Sequence, residues 1–208
     1  MAMIELPGYA NAQDPSEQQV HARIAEMESE IGRLKAQLED SRKAKQILFL
    51  TGGALRDEVV KFFTNGLAMS AKISEQTKES FWLVAEALGE EWGFGEARDS
   101  VGNVSREMLA RAMISRHDCG KPDDFPGLLV VNTFSDTTDL DERDQPPPVD
   151  IIKRASEDHI LLVRTLDLLR LHQKEQAGFA GMNEFEEAFR GGGGWFEVNA
   201  SLASKLHA

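Results

Sequence analysis

Cysteine is almost missing from this 208-residue chain, with Cys119 the only one. That excludes an intrachain disulfide and any zinc site built on several thiolates. It fits a reducing compartment, so a cytoplasmic location is expected. With no charged base partner evident, the thiol is read as buried or inert. Long apolar runs are missing too: nothing approaches the ~18 residues that suggest a membrane span. The stretch "MAMIELPGYANAQDPSEQQ" has neither a basic n-region nor an apolar h-region, so a secretory signal is not expected. Positive charge is scarce: 23 Lys and Arg face 35 Asp and Glu, a net charge of −12. Residues 51–208 alone hold 17 of the former and 27 of the latter. Broad electrostatic capture of nucleic acid needs a surplus of Lys and Arg, so nucleic acid is an uncertain partner, open only to a local basic patch.

Several familiar motifs are also lacking. The histidines, His21, His117, His159, His172 and His207, show no metal-ligand spacing, and His117 suits the C-terminal end of a helix dipole. "RGGGGW" lacks a preceding strand and a following Lys-Ser/Thr, so it reads as a connector rather than a phosphate cradle. "DTTDLDERD" lacks the spacing and glycine of a calcium loop and reads as solvated. Trp82, Trp92 and Trp195 offer faces for base stacking, but Trp82 reads as core.

What is present is enough apolar residue, 41%, for a real core. Residues 1–15, with Pro7, Gly8 and Pro15, are expected to be a mobile arm. Over residues 16–46, Val20, Ile24, Met27, Ile31, Leu34 and Leu38 recur four and three apart. This is a coiled-coil seam, with Ile24, Ile31 and Leu38 at a and Val20, Met27 and Leu34 at d. β-branched residues at a with Leu at d lean towards a parallel dimer, in which Glu30 at g attracts Lys35 at the next e. A homodimer or higher oligomer through residues 16–46 is expected, the alternative being a helix packed on its own domain.

Residues 47–199 read as one α/β unit. "ALRDEVVKFFTNGL" is a helix with Leu55, Val59, Phe62 and Phe63 on one face. "AMSAKIS", "SFWLVAEAL" and "WGFGEAR" are three strands, with Gly89-Glu90-Glu91 turning between the last two. "SREMLARAMISRHD" is a helix capped by Ser105, with Met108, Leu109, Ala112 and Met113 facing the core. "GLLVVNTF" and "HILLVR" are buried strands. Between them lie an acidic, Pro-rich loop, "SDTTDLDERDQPPP", and a helix, "VDIIKRASED". "TLDLLRLHQKEQ" is a helix with Thr165 as its expected cap. "NEFEEAF" is a short helix, "WFEVN" a last extended segment, and 200–208 a tail. The order implies one mixed sheet with helices on both faces.

That order, with "GGALRDEVVKFF", "GFGEARDSVGNVSREML", and "GLLVVNTF" followed by "DERDQPPP" and "ILLVRTLDLLRL", resembles the restriction-endonuclease-like, or PD-(D/E)xK, superfamily. It is closest to a branch with an N-terminal coiled coil. The resemblance implies a restriction-endonuclease-like mixed sheet flanked by helices. It also implies a site where carboxylates hold Mg²⁺ and a Lys orients the attacking water. Glu96 matches the carboxylate of the E-x-K element, and Arg98 stands where the Lys would be. Strand alternation puts both on one face, but Arg stays charged and is the poorer partner for activating water. Ser80 falls where the metal-sharing Asp belongs, and Arg56 where a helix Glu is common. Glu79, Asp57 and Glu58 are the carboxylates that could join Glu96 at a metal.

The expectation is therefore a degenerate nuclease-fold protein, with enzyme activity left open and no cofactor expected unless the site is active, when it would be Mg²⁺. It would act as a recognition or assembly subunit, open to a protein partner, in a bacterial nucleic-acid-processing or defence complex. One alternative is an active Mg²⁺-dependent endonuclease with Glu96 and Arg98 at its centre. Another is a purely structural, self-assembling protein.

Overall fold

The computed structural model describes residues 15–67, 69–75, 77–85, 89–179, 181–201 and 203–207. The arm expected over 1–15 lies outside these apart from Pro15, which opens the first helix. The chain divides into two units, one running to Lys43 and the other from Ala44 onwards.

The first unit is essentially α1, Pro15–Lys45. Proline at the start of a helix is tolerated because its missing N–H would have no partner there. Along the helix Arg23 pairs with Glu26, Arg33 with Glu30 and Arg42 with Glu39, each three residues apart. Such exposed pairs add only a few tenths of a kcal/mol each. The predicted seam lies on the surface: Val20, Ile24, Met27, Ile31, Leu34 and Leu38 are all 46–57% exposed.

The second unit carries a seven-stranded mixed sheet whose strands lie in chain order. A 3₁₀ turn, Gln46–Phe49, leads to α2, Gly52–Lys61, and a π turn, Phe62–Gly66. Strands β1 (Ala71–Ile73), β2 (Ser80–Val84) and β3 (Glu91–Asp99) form the predicted antiparallel meander. Helix α3, Arg106–Asp118, crosses to β4, Gly127–Asn132, which runs parallel to β3. The short α4, Leu140–Arg143, and α5, Val149–Glu157, precede β5, Ile160–Arg164, again parallel. Helices α6, Thr165–Gln176, and α7, Gly181–Arg190, return the chain to β6, Gly194–Val198, parallel to β5. Residues 200–208, expected as a tail, instead contain β7, Ser204–His207, antiparallel to β6.

Alternation along each strand separates two cores. Ala97, Leu128, Val130, Leu161, Val163 and Phe196 pack with α2, the π turn, α6 and α7, burying Leu55, Val59, Phe62 and Phe63 as their spacing predicts. Leu129, Val131, Ile160, Leu162 and Trp195 pack with α3 and α5 on the other face. Leu109 and Ala112 are buried there, whereas Met108 and Met113 are only partly covered. Ser105 caps α3 as expected, its hydroxyl accepting the Met108 N–H. Trp82 and Trp195 are both core residues, and Trp92 packs edge-on against Phe189.

Three local expectations change. Thr165 is the first residue of α6 rather than its cap, and its hydroxyl donates to Asn132 Oδ1 at 3.0 Å. The capping is done by Asp167, which accepts the Arg164 N–H. The acidic loop is not simply solvated, since it delivers Arg143 into the interior at 1% exposure. The glycine run is not merely a connector. Gly192, Gly193 and Gly194 all have φ near +105°, and a Cβ on Gly193 would meet the Ile160 and Ala155 carbonyl oxygens at 2.7 and 2.8 Å. Only glycine tolerates both the conformation and the approach.

Asn132 ends β4 with every polar atom of its amide engaged. Nδ2 donates to the Leu48 and Leu50 carbonyls at 3.1 and 2.9 Å, and Oδ1 also accepts from Arg143 Nη1 at 2.8 Å. Asn132→Ala removes these bonds in the interior and is expected to lower stability by about 3 kcal/mol. The readout is a lower urea midpoint at unchanged slope. Gly193→Ala is expected to cost about 2 kcal/mol or more by strain and overlap, in the same assay.

Candidate functional site

Strand β3 builds the site. Gly95 lies against the Phe81 ring, where a Cβ would come within 2.3 Å. This close approach fits β2 to β3 in the register that sets Ser80 directly opposite Glu96. Alternation turns Glu96 and Arg98 to the same face, as the sequence predicts. Glu96 is fully buried, and its Oε1 accepts from Arg98 Nη2 at 2.5 Å and from Ser115 Oγ of α3 at 3.3 Å. Among the described residues, Glu96 Oε2 and Arg98 Nε are buried without a hydrogen-bond partner. Burial pushes the Glu96 carboxyl above its ordinary range. The hydrogen bond and charge of Arg98 and the bond from Ser115 pull against this, while the charge of Glu79 adds to it.

Ser80 is also fully buried, and its hydroxyl lies 2.5 Å from Thr77 Oγ1. The position facing Glu96 on β2 therefore holds a hydroxyl already engaged by a neighbour rather than a second carboxylate. Glu79, one residue earlier, gives its carbonyl to the Ala97 N–H at 2.9 Å. It also lines a cavity of about 220 Å³ at the end of the sheet, together with Arg98, Asp99, Glu107 and Arg111. Asp99 in that cavity accepts the Gly52 N–H at the start of α2 at 2.8 Å, and Glu107 pairs with Arg111.

The other two candidate carboxylates are held elsewhere. Asp57 takes Arg56 Nε and Nη2 on one oxygen, at 2.9 and 2.5 Å, and Glu58 pairs with Lys61 at 3.2 Å. Neither lines the cavity. Of the other three proposed metal ligands, Glu79 is the one whose charge acts on the Glu96 carboxyl, raising its pKa. No group of three His, Cys, Asp or Glu is gathered for a metal among the described residues. A Mg²⁺ ion takes several oxygen ligands in near-octahedral order. Glu96 is already paired with a guanidinium through one oxygen, and the described residues do not gather the set of oxygens such an ion takes.

Two contributors were not singled out from the sequence. Ser115, which donates to Glu96, is a polar residue one helical turn on from Ala112. That position on an otherwise apolar stripe was its only signal. Arg111 on the same helix reaches the cavity beside Arg98. Cys119 is partly buried, and burial with Asp118 and Glu91 nearby pushes its thiol pKa up, which supports the inert reading.

Comparison with protein-family models, curated proteins and solved structures finds no match. No helix among the described residues is long and apolar enough to cross a membrane.

The buried carboxyl has a measurable consequence. An acid whose pKa is higher in the folded than in the unfolded state binds its proton more tightly when folded. Its stabilising contribution is complete below the unfolded value and is lost as pH rises through the folded one. Glu96→Gln fixes the neutral form. The stability of the wild type relative to Glu96→Gln is therefore expected to fall as pH rises above the ordinary value of 4.5, read by urea unfolding across a pH series. A flat or rising difference contradicts the raised pKa.

Proposed function

We propose that this chain is a non-cleaving relative of the restriction-endonuclease-like fold. In this reading it works as a recognition or assembly subunit that self-associates through α1. The observation that carries it is the Glu96–Arg98 ion pair, 2.5 Å long on a fully buried carboxylate, with engaged Ser80 directly opposite. An E-x-K site works by leaving its carboxylates to a metal and its Lys beside the attacking water. Here the permanently charged guanidinium holds the acid in a hydrogen bond instead. The mixed sheet with its antiparallel meander and following parallel strands supports the fold assignment. A bacterial nucleic-acid-processing or defence complex in a reducing cytoplasm is the setting that the sequence resemblance and the single cysteine favour.

An active Mg²⁺-dependent endonuclease is the second reading. One observation favours it: Glu96 Oε2 has no hydrogen-bond partner among the described residues, and Glu79 is near enough to influence its charge.

A nuclease assay on single- and double-stranded DNA and RNA, with Mg²⁺ or Mn²⁺, separates the two. Wild type and Glu96→Ala are expected to be equally inert. Cleavage by the wild type that Glu96→Ala abolishes overturns the non-cleaving reading. Light scattering addresses assembly: the full chain is expected to be a dimer or larger and residues 46–208 a monomer.

A further inference from the structure

We infer that α1 binds a second copy of itself in parallel and in register. The inference rests on the self-association proposed above and adds its direction and alignment. The apolar stripe consists of six residues, each roughly half exposed along a 31-residue helix. Its charges decide which second helix fits. With Ile24, Ile31 and Leu38 at a, the flanking e positions are His21, Glu28, Lys35 and Arg42. The g positions are Arg23, Glu30, Gln37 and Ala44. In a parallel, in-register pair each g residue meets the e residue five positions on in its partner. Arg23 then faces Glu28 and Glu30 faces Lys35, in both directions across the pair, while Gln37 faces Arg42. Every one of these contacts is attractive or neutral, and all six apolar residues meet their own copies.

The antiparallel arrangement that keeps all six apolar residues in contact sets Ile31 on Met27, Ile24 on Leu34 and Leu38 on Val20. It brings g to g and e to e, so Glu30 meets Glu30, Glu28 meets Glu28, and His21 meets Lys35. Sliding the helices by one heptad relieves the acidic clash. In one direction this leaves Val20 and Ile24 facing Lys45 and Ser41, and in the other it leaves Leu34 facing Glu17 and carries Leu38 past Pro15, where α1 begins. The same residues that make the parallel pair attractive thus disfavour its competitors. A parallel pair also sends both chains out of the coil at the same end.

Cysteine cross-linking of the full-length chain tests this in a Cys119→Ser background. Val20→Cys and Leu38→Cys sit near opposite ends of the seam. Each variant alone is expected to form a disulfide with its own copy under mild oxidation, and the mixture of the two is expected to add no cross-linked species joining one to the other. Disulfides only in the mixture establish the antiparallel pair and overturn the inference. A dimer by light scattering with no disulfide in any sample also overturns it, since the register is then different. A monomer overturns both the inference and the self-association beneath it, leaving the nuclease assay as the separate judge of the site. Charge reversal gives a second readout. Glu30→Lys or Lys35→Glu alone is expected to weaken the dimer about tenfold, and the two variants mixed are expected to recover most of the loss as a heterodimer. Equal dimerisation by all of them contradicts the parallel register.

Discussion

The buried amide of Asn132 is the interaction on which the second unit turns. Four groups from three separate parts of the chain converge on it: the Leu48 and Leu50 carbonyls, Arg143, and Thr165. A buried amide satisfied on all sides is favourable, and the same amide with one partner missing is costly. The end of β4 therefore fixes the 3₁₀ turn before α2, the loop around α4 and the start of α6 at once. Arg143 extends the arrangement, giving Nε to the Thr137 carbonyl and Nη2 to that of Ser135 at 2.9 and 3.3 Å. No carboxylate pairs with it among the described residues, and burial lowers its pKa. Here a guanidinium serves as a fork of donors for an otherwise irregular loop.

A second network lies alongside and carries full charges. Asp167, fully buried, takes Arg164 on both oxygens and also accepts the Val198 N–H at 3.1 Å. Arg164 and Arg170 share Asp144, and Arg170 reaches the Val198 carbonyl at 3.1 Å. The strand β6 is thus tied to α6 by charge as well as by the sheet. Removing any one partner strands the others in a poorly solvated place, so these residues specify one arrangement more than they add net stability. Both networks use residues of the segments that carried the family resemblance, "GLLVVN", "DER" and "RTLDLLR". Their placement has a structural reason that is independent of catalysis.

Much of the fold was legible because periodicity reports burial. The continuous apolar runs of β4 and β5 are buried on both faces, and the alternation in β3 put Glu96 and Arg98 together. What stayed hidden depended on distant partners. Thr165 looks like a cap, yet its hydroxyl is drawn to Asn132, 33 residues away, while Asp167 supplies the cap. Strand β7 gives no signal because "SKLH" contains a single apolar residue, Leu206, itself 43% exposed, and the strand exists by pairing along β6. The glycine run reads as flexible until the Ala155 and Ile160 carbonyls that crowd Gly193 are in place. At the site, the sequence supplied Glu96, Arg98 and Ser80 in the right relation. It did not supply Ser115, nor the fact that Asp57 and Glu58 are held by Arg56 and Lys61 on their own helix.

The two units obey opposite rules, and that contrast bears on how the chain works. In the second, titratable groups are taken inside and hydrogen-bonded, Glu96 to Arg98 and Asp167 to Arg164, with burial making each contact expensive to break. In α1, apolar residues are left outside on a single stripe between charged flanks. A lone helix with this pattern gains little from its own exposed ion pairs. Its stripe becomes an asset only when another helix covers it. Glu96 is engaged by Arg98 and Ser115, while the apolar stripe of α1 stands exposed. On this contrast we propose work done by contact rather than by bond cleavage.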